Sequence, residues 1–208
     1  MAAVVPVLDE GAAIGDVVAE LQTCGACCVY VIDGGSRDRT VGVAKDAGGI
    51  VVVEPERGYG RACRTGAEHA LASAPDGHTH DAVAFLDGDG SCDPRDLRGL
   101  IAALEGGDVA LGSRPAHLLE SGAMPWHARL GNLLVSWIVG LRTGRTVHDL
   151  PPFKVVHRAI LERLALSDDG YGWTAQMVAR AMVEPMVRIR ETPVRFRNRR
   201  GGVSKVSG

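Results

Sequence analysis

Short aliphatic runs recur through the first half of this chain, separated by helical patterns, and that alternation limits the folds open to it. The runs are Ala3–Val7, Val29–Ile32, Ile50–Val53, Val83–Leu86 and Val109–Leu111. Each is too short for an ordinary helix and apolar enough to be a strand buried on both faces. Between the first two, Ala12–Leu21 puts Ile14, Val17, Val18 and Leu21 on one helical face. Asp38 or Thr40 can cap a helix running to Ala47. Tyr59–Ala74 carries a stripe of Ala62, Thr65, Gly66, His69 and Ala70 that suits close packing on a sheet. Asp93 caps a later helix that has Pro94 at its first position. The order β-α-β-α predicts an α/β fold, a mostly parallel central sheet with helices on both faces. A chain of 208 residues suits a single domain, with halves at about 1–93 and 94–208.

The second half is less regular. Trp126–Leu141 reads as an amphipathic helix, and Asp149–Phe153, with its two prolines, as a rigid turn. Arg158–Leu164 and Thr174–Met182 read as helices, Val187–Ile189 and Val194–Phe196 as strands. Hydrophobic residues make up 46% of the chain and aromatics only 4%, so aliphatic side chains and Ala must fill the core. A formal charge of -2 argues against a general nucleic-acid binder. No apolar run is long enough to cross a bilayer, and no basic and apolar leader opens the chain, so the cytoplasm is the expected compartment. Cys24-Gly-Ala-Cys27-Cys28 has some look of a metal site, but no second Cys pair follows, and His78 and His80 stand far off in a polar loop. These cysteines read instead as small apolar residues running into a strand.

Parallel sheets of this kind bind ligands beyond the carboxyl ends of their strands. Here those ends are polar: Leu8-Asp9-Glu10, Asp33-Gly34-Gly35-Ser36, Glu54-Pro55-Glu56-Arg57 and Asp87-Gly88-Asp89. The last is the most telling. A buried strand does not end in paired carboxylates for packing, because unpaired buried charge is costly. Two Asp at i and i+2 can share one hard cation, and the cation can hold a diphosphate. The neighbouring glycines let a bulky ligand approach the backbone.

Taken in order, these segments resemble family 2 glycosyltransferases of the GT-A fold, in the branch of dolichyl-phosphate mannose and glucose synthases. Pro6-Val7-Leu8-Asp9-Glu10 resembles the family's Pro-Ala-x-Asn-Glu opening, and Val31 to Thr40 its Val-Val-Asp-Asp-Gly-Ser-x-Asp-x-Thr. Gly58-Tyr59-Gly60-Arg61-Ala62, Leu86-Asp87-Gly88-Asp89 with Asp93-Pro94, Gly112-Ser113-Arg114, Asp149–Phe153, Tyr171-Gly172-Trp173 and Arg200–Lys205 follow in family order. The resemblance implies an inverting transfer of a hexose from a UDP-glucose- or GDP-mannose-type donor to a polyprenyl phosphate or similar phosphorylated acceptor. It implies that Asp87 and Asp89 hold Mg²⁺ or Mn²⁺ against the diphosphate. Pro6, Leu8, Glu10, Asp33, Ser36, Arg57, Gly60, Arg61 and Gly88 would line the donor site. Ser113, Arg114, Arg129, Asp149, Tyr171, Trp173, Arg200, Ser204 and Lys205 would meet the acceptor. Gln176 would sit at the reacting centre with the two aspartates. A lipid acceptor would bring the protein to the inner face of the membrane.

The chain departs from the family pattern at four places. Asp9 replaces the usual Asn, Gly34 the second Asp of Asp-Asp-Gly-Ser, and Ser91 a Gln of some relatives. Gln176 stands where relatives commonly carry Glu, and Gln takes no proton. Two other readings therefore stand beside the transferase: a sugar-nucleotide binding module without turnover, and a nucleotidyltransferase. The second wants a basic Gly-rich loop after the first strand, which Pro6–Gly11 lacks. The apolar face around Trp126, Trp137 and Ile138 suits lipid, a second subunit in a homodimer, or the chain's own core.

Overall fold

The structure, a computed structural model, describes residues 1–72, 77–123, 140–141, 144 and 146–201. Among the described residues, seven strands form one sheet in the order β3-β2-β1-β4-β6-β5-β7. They are β1 Ala2–Val7, β2 Cys28–Asp33, β3 Ile50–Val53, β4 Ala82–Phe85, β5 Val109–Ser113, β6 Lys154–His157 and β7 Ile189–Pro193. Strands β3, β2, β1 and β4 are parallel, with Val4 beside both Tyr30 and Phe85. Only β6 runs against its neighbours, wedged between β4 and β5.

The α-helices wholly within the described residues are α1 Ile14–Thr23, α2 Thr40–Asp46, α3 Tyr59–Leu71, α4 Leu97–Glu105, α5 Arg158–Leu164 and α6 Trp173–Val183. Successive side chains of a strand point to opposite faces, and β1 shows the result. Ala2 and Val4 join the core under α3, α5 and α6, whereas Ala3, Val5 and Val7 join the core under α1 and α4. Both faces are covered, which is why the central strands are uninterrupted aliphatic runs. Ile14, Val17, Val18 and Leu21 are buried on α1 as their spacing predicts.

The carboxyl half differs from expectation in two places. Strand β6 was missed, because Lys154 opens it and only four residues pair. It follows directly on the expected turn at Asp149–Phe153. In place of strands at Val187–Ile189 and Val194–Phe196 there is one strand, Ile189–Pro193, along the edge beside β5. Its Arg190 and Glu191 suit a half-wet edge, and Pro193 stands at its last position, where a missing N–H costs least. Phe196 makes only single bridges, to Cys92 and Leu119. The expected helix Trp126–Leu141 lies outside the described residues except for residues 140–141, which are helical.

The small-residue stripe on α3 does lie close on the sheet. Gly60, Ala62, Cys63, Gly66, Ala67 and Ala70 are buried, and a Cβ on Gly66 would stand 2.2 Å from Val4 Cγ1. Gly66→Ala should therefore cost about 1–3 kcal/mol by overpacking, despite the better helix propensity of Ala. Gly42→Ala, on the open face of α2 with nothing within 4 Å, should instead stabilise by up to about 1 kcal/mol. Urea unfolding of the two variants checks both signs.

Candidate active site

The loops after β1 and β2 are tied to each other. Asp9, at φ 55°, donates its N–H to Ser36 Oγ (2.8 Å) and accepts from the Arg37 N–H (2.7 Å). The Glu10 N–H donates to Thr40 Oγ1 (2.8 Å), and the Gly34 N–H to the Val7 carbonyl (3.0 Å). Asp33, 3% exposed, closes its own turn by accepting from the Gly35 and Ser36 N–H groups at 3.1 Å. The ends of β1 and β2 are thereby set as one rigid lip. Glu54, at the end of β3, accepts from Thr65 Oγ1 and the Glu56 N–H.

At the end of β4, Leu86 is buried and Gly88 turns inward. A Cβ there would lie 2.4 Å from Val7 Cγ1 and 3.1 Å from Val5 Cγ1, so Gly88 serves the packing of the loop on β1. The carboxylates on either side belong to the lip. Asp87 accepts from the Tyr59 hydroxyl (3.0 Å), and Asp89, 8% exposed, from the Ser91 N–H (2.9 Å). Burial pushes the Asp87 carboxyl up to about 6, with repulsion from Asp89 adding to it; Tyr59, Lys154 and Arg114 pull the other way. Lys154 is 0% exposed, donates to Thr174 Oγ1 (2.7 Å) and the Pro151 carbonyl (3.3 Å), and lies 5.2 Å from the centre of the Trp173 ring. Burial draws its ammonium down to about 8, against the pull of the Asp87 carboxylate.

The segment 195–200 crosses this loop as a strap. The N–H of Asp93 donates to the Arg195 carbonyl, that of Arg197 to Ser91, and that of Arg200 to Asp89. Its alternating arginines face the acidic residues beneath it. Asp93, fully buried, takes Arg95, Arg195 and Arg197, and Asp96 takes Arg195. Burial alone would raise the Asp93 carboxyl, but hydrogen bonds from Arg95 and the charges of Arg197 and Arg195 hold it below the ordinary range. Arg199 reaches the lip itself, donating to Glu10 and lying 3.4 Å from Asp89 Oδ2.

Several expected site residues have other work here. Trp173 is fully buried, its ring 4.8 Å from that of Phe85, so it is core and not an acceptor surface. Gln176 turns its Oε1 to the N–H groups of Ser167 (2.8 Å) and Asp168 (3.1 Å), so its amide closes that turn. Gly60 makes room for the Asp168 and Gly170 carbonyls. Arg61 binds Glu56 and Asp169, both at 3.0 Å, and Arg200 binds Asp16 on α1. Arg57 is exposed after β3, and Pro6 and Leu8 are half-buried on β1 and just beyond it. Tyr171 stacks on Tyr59 with centroids 5.8 Å apart. Arg114, next to Ser113 at the end of β5, forks onto Asp149 through Nε and Nη2, both at 2.8 Å. Arg129, Ser204 and Lys205 lie outside the described residues. Tyr59 and Lys154 were not singled out from sequence; Arg199 belongs to the alternating run Arg195, Arg197, Arg199, Arg200, which reads from sequence as one basic face for phosphate, anionic lipid or solvent.

The donor set at Asp87 and Asp89 fits a hard divalent ion. Both are oxygen ligands on one loop, and their mutual repulsion is what a cation would relieve. Two carboxylates cannot fill such a coordination sphere, so diphosphate oxygens and water would complete it.

Residues 2–168 match Glycosyl transferase family 2, and the chain belongs to that family. It is 37% identical over 207 residues to an uncharacterised glycosyltransferase of Mycobacterium tuberculosis, covering 99% of this chain and 88% of the relative. It is 30% identical over 207 residues to the dolichyl-phosphate hexose transferase of Haloferax volcanii, covering 97% and 84%. To the polyprenol monophosphomannose synthase of Mycolicibacterium smegmatis it is 26% identical over 204 residues, covering 90% and 73%. Among solved structures it resembles the glucosyl-3-phosphoglycerate synthase of Mycobacterium tuberculosis crystallised with Mg²⁺ and uridine diphosphate. That match has a TM-score of 0.69 at 21% identity, over 95% of this chain and 71% of the other. The fold is GT-A, and the protein is a glycosyltransferase of the class that uses a nucleotide sugar. Among the described residues, no helix is long and apolar enough to cross a membrane.

The strain at Asp87 has a measurable consequence. Its carboxyl titrates at about 6 in the fold against 3.8 ordinarily, so between those values the native state binds more protons and stability falls as pH rises. Above about 6 the whole penalty is present. Asp87→Asn keeps an acceptor for Tyr59 and removes the charge. It should raise the unfolding free energy near neutral pH by roughly 1–3 kcal/mol. The gain should fade toward about pH 4, where the wild-type carboxyl is itself protonated. Denaturant unfolding across that range checks both size and slope.

Proposed function

We propose that this glycosyltransferase moves a hexose, with inversion, from a nucleoside-diphosphate sugar to a polyprenyl phosphate or a similar phosphorylated acceptor. The observation that carries the reading is the pair Asp87 and Asp89 at the end of a buried strand, opposed by the guanidinium of Arg199. The relatives named for polyprenol and dolichyl phosphate support the acceptor class.

In this reading Asp87 and Asp89 hold Mg²⁺ or Mn²⁺. The bound ion would supply Lewis-acid stabilisation of the departing nucleoside diphosphate. Pro6 and Leu8 flank the base, and Glu10 and Asp33 stand on the ribose side. Arg199, already on Asp89 and Glu10, turns to the diphosphate when the donor enters. Asp149 fixes the Arg114 fork, so that its remaining N–H edge meets the acceptor phosphate beside Ser113. A phosphate oxygen is anionic at neutral pH and attacks without a strong general base. That suits a centre from which the Gln176 amide is turned away.

The donor assignment is tested by calorimetry and thermal shift with UDP, GDP, UDP-glucose and GDP-mannose, each with and without Mn²⁺. One nucleotide should bind in a metal-dependent way, and Asp89→Ala should lose at least tenfold of that affinity, roughly the 1.4 kcal/mol of one decade. Failure of all four to bind a folded protein would sink the reading. The acceptor side has its own test. Gln176→Glu keeps an oxygen for the Ser167 and Asp168 N–H groups, so transfer to a short polyprenyl phosphate should change by less than about threefold, under 1 kcal/mol. A sharp rise in turnover would instead mean that a base is missing.

A further inference from the structure

Away from the lip, at the amino ends of the central strands, the fold assembles a second set of metal-ligating side chains. Cys27 precedes β2, Cys28 opens it, and His80 stands two residues before β4. In sequence His80 is remote from the cysteines, which was one reason, beside the lack of a second Cys pair, to discount a metal there. In space the ligand atoms of Cys27, Cys28 and His80 all lie within 4.8 Å of one another. Cys24, by contrast, is buried in the core beneath α1 and takes no part.

We propose that Cys27, Cys28 and His80 bind Zn²⁺ as a structural site. The Cys27 Sγ to His80 Nδ1 distance is 3.4 Å. A tetrahedral zinc ion, with bonds of about 2.3 Å to sulfur and 2.0 Å to nitrogen, sets that edge at about 3.5 Å. The Cys28 sulfur closes the third corner by rotating about its own Cα–Cβ bond. The imidazole is already oriented: His80 is 3% exposed and stands edge-on to Tyr30, centroids 6.4 Å apart. Cys27 is exposed, so metal has an entry path, and water supplies the fourth ligand. None of the five cysteines is in a disulfide, so neither sulfur is held by a covalent cross-link. On binding, the two thiols lose their protons to solvent and the imidazole is bound neutral.

Soft sulfur and imidazole donors select zinc over the magnesium or manganese suited to Asp87 and Asp89. The location fits a clip. Strand β1 lies between β2 and β4, and the carbonyl of Met1, just before it, accepts from the Cys27 N–H (3.0 Å). One ion would therefore pin the amino ends of β2 and β4 across β1.

The test is a titration of metal-free protein with Co²⁺ and then Zn²⁺. Wild type and Asp89→Ala should each take one equivalent of Co²⁺ with a sulfur-to-cobalt charge-transfer band, and Zn²⁺ should displace it. The Cys27→Ser/Cys28→Ser variant should lack the band. His80→Asn should bind at least about tenfold more weakly, the scale that even outer partners of a ligand carry. Zn²⁺ should raise the Tm of wild type and leave that of the double variant unmoved. No thiolate band in the wild-type protein would overturn the proposal whatever the variants do. So would equal zinc stoichiometry and Tm response in the double variant.

Discussion

Two carboxylates one residue apart at the end of a buried strand repel each other, and much of the polar architecture answers that repulsion. Burial and Asp89 together push Asp87 up, and the neighbours restrain it: the Tyr59 hydroxyl, the Lys154 ammonium and the Arg114 guanidinium. Lys154 is itself uncomfortable, since burial draws it down while Asp87 pulls it up. Burial also raises the thiols of Cys63 and Cys92, so they stay neutral and add no further charge. These neighbours offset part of the penalty, which lets a buried acidic pair exist in a stable fold. An active site that keeps such a pair trades stability for a place to hold a cation.

The same requirement explains the strap. Asp93 is fully buried directly after the acidic loop, where an unpaired carboxylate would be expensive. Arg95, Arg195 and Arg197 converge on it. Backbone bonds from residues 93, 197 and 200 then fasten the strap over residues 89–93. Arg199 is placed at the lip because its neighbours at alternate positions are anchored. Its own contact with Asp89 is the looser one at 3.4 Å, which suits a side chain that must give way to a diphosphate.

The amino half was legible because its signals are local. Aliphatic runs of four to six residues, helical spacing in α1 and the small stripe on α3 all report burial directly, and the structure follows them closely. The carboxyl half was not, because there the sheet is completed by segments whose pairing is long-range. Lys154 in β6 carries a charge that composition reads as surface, yet it is buried behind the acidic pair with Thr174 and Trp173 as partners. Trp173 and Gln176 follow a motif that reads as site. A helix turns one of them into the core and spends the other on its own preceding turn. Motif position locates a segment; which way a side chain faces depends on packing that no short pattern encodes. The same limit hid His80 from Cys27, because the strand order brings residues 27 and 80 to opposite sides of β1.

Strand direction sorts the two sets of donors. In a parallel sheet every carboxyl end of β1, β2 and β4 faces one way, and every amino end the other. The oxygen donors Asp87 and Asp89 therefore collect at one edge, and the sulfur and imidazole donors Cys27, Cys28 and His80 at the opposite edge. Six residues of β1 separate them, about 20 Å of extended chain. At that distance neither set competes for the other's ion by proximity, and softness alone decides between oxygen and thiolate sites. A zinc ion at the amino edge would hold together the three strands whose far ends form the lip. It would preserve the lip's geometry without entering its chemistry.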